Sequence, residues 1–210
     1  MEFIKYGSKF VSVLDDISEP TYLVTSECIR RRSFTITTVA AALEVYEGFK
    51  ILCQAKNYLC AIQLIRVQID TCLMVYGSLI MKNQKTFFDN YERGTDINKL
   101  KIEGKPLTTN FLLSGLEERH NGLTCIYREG CKWVHPTSKR ADIFCIDSPT
   151  PNEPASLLGY KGKEYMNSNR LAEELMEDLC TDMYYVNDVL LELLNEVVKL
   201  QQGEASTTKE

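Results

Sequence analysis

Within the eight positions Arg128 to His135 the chain gathers a guanidinium, an ammonium and an imidazole: Arg128, Lys132 and His135. Two turns of α-helix take 7.2 residues, so positions seven apart return to nearly the same face. On a helix these three side chains form one polar stripe, with Asn121 and Thr124 at its upstream end. Ile126, Tyr127, Trp133 and Val134 then point to the other side, toward a core. Two cations in line with an imidazole suit a bound phosphate, and imidazole also suits proton transfer near neutral pH. A structural reading stands beside this one. His135 precedes Pro136, which ends a helix, and a cation at a helix C-terminus is favoured by ~0.3–1 kcal/mol.

A second constellation is Gln63, Arg66 and Asp70 in an otherwise apolar stretch. Charges there need partners. Arg66 and Asp70 are four apart and can pair on one helical face. Alternatively, Asp70 reaches the Arg128–His135 stripe and orients it as a supporting carboxylate. Cys131 and His135 are also four apart, a spacing that permits an activated thiol, but no nucleophile motif surrounds them. The chain has no G-x-x-x-x-G-K-[ST], G-x-G-x-x-G or G-x-S-x-G. Eight cysteines without a C-x-x-C pair, and two histidines, argue against a zinc ribbon or knuckle. No metal ligand set and no cofactor are expected.

The spacing R-x6-H at the end of an amphipathic helix, in a small helical chain, resembles the R-x4-6-H motif of HEPN-domain proteins. Arg128 and His135 carry the resemblance. It implies a helical bundle from the prokaryotic toxin, defence or RNA-processing world, and a metal-independent endoribonuclease built as a homodimer with two motifs facing each other. On that reading His135 is the general acid or base for attack of a ribose 2′-hydroxyl on its phosphate. Arg128 stabilises the charge on the phosphoryl oxygens, and Lys132, Lys139 and Arg140 hold RNA phosphates. Family members commonly place a neutral amide after the arginine; here Glu129 stands there. The alternative is therefore a non-catalytic relative, a helical interaction or regulatory module that serves a protein partner or awaits an activator.

The elements that must position these residues read as all-α. A chain of 210 residues with 44% hydrophobic and 25% charged content is one ordinary globular domain. The net charge of -5 excludes a protein that coats nucleic acid by bulk charge, though it permits a local basic patch. Such a patch exists: 119–140 holds five basic residues and one acid, whereas 168–201 holds eight acids and two bases. The basic segment either binds phosphate or docks on the chain's own acidic final helix.

Along the chain, 1–17 predicts a short helix and Ser18-Glu19-Pro20 a turn. Residues 21–34 are ambiguous, with Arg30-Arg31-Arg32 as a solvated face or loop corner. Helical spacing runs from Thr37 to about Gln54 and again from about Asn57 to Lys82. The second helix is apolar over most of its circumference and belongs at a bundle centre. Arg66 and Asp70 interrupt it, and its longest charge-free run is well short of the ~20 residues a membrane span needs. Residues 83–109 read as a connection with a helical turn at Phe87–Tyr91. Helix follows from Asn110 to Glu118, breaks at Asn121-Gly122, and resumes to His135. Residues 137–167, with Pro149, Pro151 and Pro154, predict an irregular insertion or small β-hairpin. Ser168 caps a long final helix with Leu171, Leu175, Leu179, Met183, Val186, Leu190, Leu193, Val197 and Leu200 in one stripe, which either completes the bundle or forms a dimer seam. One bundle domain, 1–202, and a disordered tail, 203–210, are expected. Charges flank the short apolar run near Met1, so no signal peptide is expected, and the free cysteines suit a reducing cytoplasm.

Overall fold

The computed structural model describes residues 3–17, 26–134 and 170–207. Among them are seven α-helices: α1 Tyr6–Ile17, α2 Ser26–Gln54, α3 Tyr58–Ile80, α4 Gln84–Glu92, α5 Thr109–Glu117, α6 Leu123–Val134 and α7 Arg170–Thr207. A 3-10 turn, Ile97–Lys99, and a two-stranded antiparallel ribbon, β1 Lys101–Ile102 with β2 Lys105–Pro106, lie between α4 and α5. The chain is an all-α bundle, with one small hairpin among the described residues. The insertion expected at 137–167 lies outside the described residues. The observed hairpin is at 101–106, where Glu103 (φ 52°) and Gly104 (φ 82°) form the two-residue turn. Two successive positive φ values match the primed turns that suit the twist of paired strands.

Helix α3 is central. Ala61, Ile62, Ile65, Ile69, Cys72, Leu73 and Val75 are buried on several of its sides, against α2, α6 and α7. By length and composition it is apolar enough to cross a membrane; here it forms the axis of the bundle. Around it, α1 contributes Tyr6, Phe10, Val13 and Ile17 at helical spacing. Helix α7 contributes Leu179, Met183, Val186, Leu190, Leu193 and Val197, all buried. The stripe expected on α7 therefore faces its own bundle and is not free as a dimer seam. Leu200 departs from it, being 42% exposed. Cys180, Val189, Leu194 and Val198 widen the buried face instead. The helical backbone continues to Thr207, into the stretch read as a tail.

Helix α2 starts eleven residues before the expected Thr37, and the difference is a matter of charge. The arginine run is not a solvated corner. Arg31 is fully buried and donates to Gln84 on α4, while Glu27 lies 3.8 Å away. Arg30 pairs with Asp89 and Glu92 of α4. Long cationic stems can pack along apolar surface when their heads find partners. Those partners are remote in sequence. Phe34 then meets Phe87, Phe88 and Tyr91 edge-on, completing the α2–α4 contact.

The α2–α3 corner is a tight C-cap. The N–H of Asn57 donates to Leu52 O at 2.8 Å and that of Lys56 to Cys53 O at 2.9 Å, with Lys56 in the left-handed region (φ 55°). This is the Schellman arrangement, which normally places glycine where Lys56 stands.

Candidate functional site

Helix α6, which carries the Arg128 stripe, is held at its N-terminus by a carboxylate from the preceding helix. Glu117, the last residue of α5, accepts the N–H groups of Gly122 and Thr124 at 2.7 Å each. Gly122 takes φ 99°, which turns the chain between the two helices. The two backbone donors hold the Glu117 carboxyl below its ordinary range; the Thr124 hydroxyl and the Arg128 charge lower it further. Glu117 thus both starts α6 and lies within electrostatic reach of Arg128. Sequence reasoning missed it, because a cap from the end of another helix has no fixed spacing.

The basic residues of 119–134 divide into two sets. Arg119 pairs with Glu192 and Glu196 on α7, and His120, largely buried, lies 3.6 Å from Glu192. Tyr185 of α7 donates to the carbonyl of Asn121 at 3.0 Å. These contacts account for the docking of the basic segment on the acidic helix. Arg128 takes no part in it. Arg128 is exposed, and among the described residues no hydrogen bond reaches its guanidinium. Lys132, also exposed, is ion-paired with Glu129 one turn back, so it is less available to a phosphate than the stripe implied. His135, Lys139 and Arg140 lie outside the described residues, as do the side chains of Trp133 and Val134.

The Arg66–Asp70 pair is rearranged. Arg66 donates to the Tyr127 hydroxyl at 3.0 Å and lies 5.2 Å from the centre of the same ring. Tyr127 packs half-buried on the core, as its apolar side requires, and turns its hydroxyl to the guanidinium. The Tyr127 hydrogen bond, then Asp70, hold Arg66 firmly cationic against partial burial. The backbones come close here: a Cβ on Gly130 would lie 3.5 Å from the Cβ of Arg66. Arg66 therefore braces α6 from α3, directly beneath the turn that bears Arg128. Asp70 does not reach that stripe. It opens onto the other flank of α3, toward α4, and partial burial raises its carboxyl while Arg66 opposes the rise.

A further carboxylate lies beside a recess shared by α3, α6 and α7. Asp182 borders a narrow recess with Ile62, Ile65, Ile126 and Glu129. Burial, then Asp178, push its pKa up to about 6. Among the described residues no three His, Cys, Asp or Glu side chains converge to hold a metal ion.

The chain matches no known family model, no curated protein and no solved structure.

Proposed function

We propose that the protein is a HEPN-like, metal-independent endoribonuclease that acts as a homodimer, with α6 as its working surface. One observation carries the reading: Arg128 is exposed and without a hydrogen-bond partner among the described residues, while Arg119 and His120 serve the acidic α7 in its place. A guanidinium held on a braced helix is a preorganised donor for charge that builds on phosphoryl oxygens. His135 would remove the proton of the 2′-hydroxyl or protonate the leaving oxygen. The O2′–P bond forms as the P–O5′ bond breaks, leaving a 2′,3′-cyclic phosphate and a 5′-hydroxyl. Lys132, Lys139 and Arg140 would steer the RNA backbone, and the cytoplasm is where such a substrate is met.

The test is cleavage of fluorescent RNA by the purified chain, with the ends mapped by mass spectrometry. Arg128→Ala and His135→Ala are expected to slow cleavage on the order of a hundred- to a thousand-fold with little change in Tm. Glu129→Gln, which removes an acid beside the phosphate site, is expected to speed it. The parent chain showing neither cleavage nor RNA binding that depends on Arg128 would overturn the proposal in favour of a non-catalytic interaction module. For that module the Lys132–Glu129 pair is the supporting contact.

A further inference from the structure

On the α4 flank of α3, away from the Arg128 surface, the structure forms an open-mouthed cavity of about 320 Å³. That is the lower end of the volumes at which proteins take small organic ligands. Met74 of α3, Phe87 and Tyr91 of α4, and Ile97 and Leu100 of the following turn form its walls. The Phe87 and Tyr91 rings lie 7° from parallel, with centroids 6.5 Å apart. Tyr91 is 36% exposed, so the wall it forms meets solvent.

The cavity is built rather than incidental. Ile97 rests on α3 at Gly77, where a Cβ would come within 2.7 Å of its Cδ1. A larger residue at 77 would require the Ile97 side chain to shift. Asp96 fixes that turn by accepting the N–H of Asn98 at 2.9 Å, and the Leu100 N–H donates to Ile97 O at 3.0 Å.

Asp70 is the one charged residue among those lining the cavity. Among the described residues nothing donates a hydrogen bond to its carboxylate; Arg66, one turn back, is directed to Tyr127. Asp70 is exposed at the mouth of the pocket, so its carboxylate is accessible to a molecule that enters beside Phe87 and Tyr91. The mouth is complementary to a positive charge on an apolar body: the charge meets Asp70, and the body lies against Phe87 and Tyr91, whose faces also attract cations.

We propose that this cavity binds a small organic cation, a protonated amine carried on an apolar body about the size of one aromatic ring. Recognition rests on the Asp70 carboxylate and on the Phe87–Tyr91 wall, and it is independent of the ribonuclease reading.

The test is calorimetric titration of the full chain with 2-phenylethylamine and with its neutral isostere 2-phenylethanol, side by side. The amine is expected to bind saturably and at least tenfold more tightly than the alcohol. Asp70→Asn should erase that preference, and Met74→Trp, which fills the cavity, should abolish binding of both; thermal melts verify that each variant is folded. Equal affinity for amine and alcohol, an unchanged preference in folded Asp70→Asn, or no saturable binding of the amine up to about 10 mM would each overturn the proposal.

Discussion

Arg119 and Arg128 are nine positions apart and are alike in sequence, yet their partners separate them. Arg119 lies between two glutamates of α7, whereas Arg128 faces solvent above Tyr127 and Arg66. Composition predicted a basic segment and an acidic helix; it could not say which bases would dock, because that depends on where the turn between α5 and α6 lies against α7. Burial beside the recess between α3, α6 and α7 decides the behaviour of Asp182. Its carboxyl is raised from an ordinary value of 3.8 to about 6, so the folded state holds the proton more tightly than the unfolded chain. The contribution of Asp182 to stability is therefore fully present below about pH 4 and is lost as pH rises through 6. Asp182→Asn is expected to melt above the parent at pH 8 and level with it below pH 4. The side chain is partly exposed and screened, so the gain is on the order of 1 kcal/mol, roughly 2–4 °C in Tm. Melting curves across that range check it, and a gap that persists at acid pH would contradict it.

At the scale of elements, helical periodicity located α3, α5, α6 and α7 closely, since their buried faces recur every three or four residues. It failed at the start of α2. There the helix buries an arginine, and a pattern that scores arginine as solvated cannot see a buried one whose partners come from α4. The hairpin at Lys101–Pro106 was hidden for a related reason: Glu-Gly lacks the Asn or Asp that usually signals a primed turn. Two predictions belong here. Lys56→Gly should stabilise the chain by about 1 kcal/mol, because a side chain at positive φ carries a strain that glycine lacks. Chemical denaturation measures it; an unchanged midpoint would mean that the Lys56 side chain makes compensating contacts. Glu117→Ala should cost about 1 kcal/mol by uncapping α6. The Glu117 carboxyl is depressed in the fold, so the loss should be full above the pH where an unfolded glutamate titrates, and vanish as pH falls through the lower, folded value. Amide exchange should rise first at Gly122 and Thr124.

For the molecule as a whole, the all-α class was legible because apolar residues recur at helical spacing along most of the chain. The candidate site was legible only in part. Arg128 could be singled out from its spacing, but Glu117 and the Arg66–Tyr127 brace arise from contacts between helices far apart in the chain. The cysteines report on the integrity of the same core. Cys53, Cys72 and Cys180 are buried, and Cys125 is exposed. A hydrogen bond with Cys180, then burial, raise the Cys53 thiol, and burial raises Cys72. In native buffer Cys125 should alkylate well before those three, and denaturant should remove the difference; peptide mapping after a timed pulse of N-ethylmaleimide reads the order. Early labelling of Cys72 would show that α3 is not the interior axis.

The placement of α7 has a consequence for synthesis. Tyr6 of α1 reaches Tyr184 O at 3.0 Å and Asp188 at 2.9 Å, and Gln68 of α3 reaches Asn187 at 2.6 Å, all on the last helix. The ribosome makes those partners more than a hundred residues after α3 begins. Until residues 179–198 emerge, the nascent chain holds a long apolar trough along α1, α2 and α3 with nothing to fill it, the condition in which incomplete chains associate wrongly or recruit chaperones. A chain released before that point is expected to be cleared rather than folded, so translation must pass residue 198 before this bundle can close.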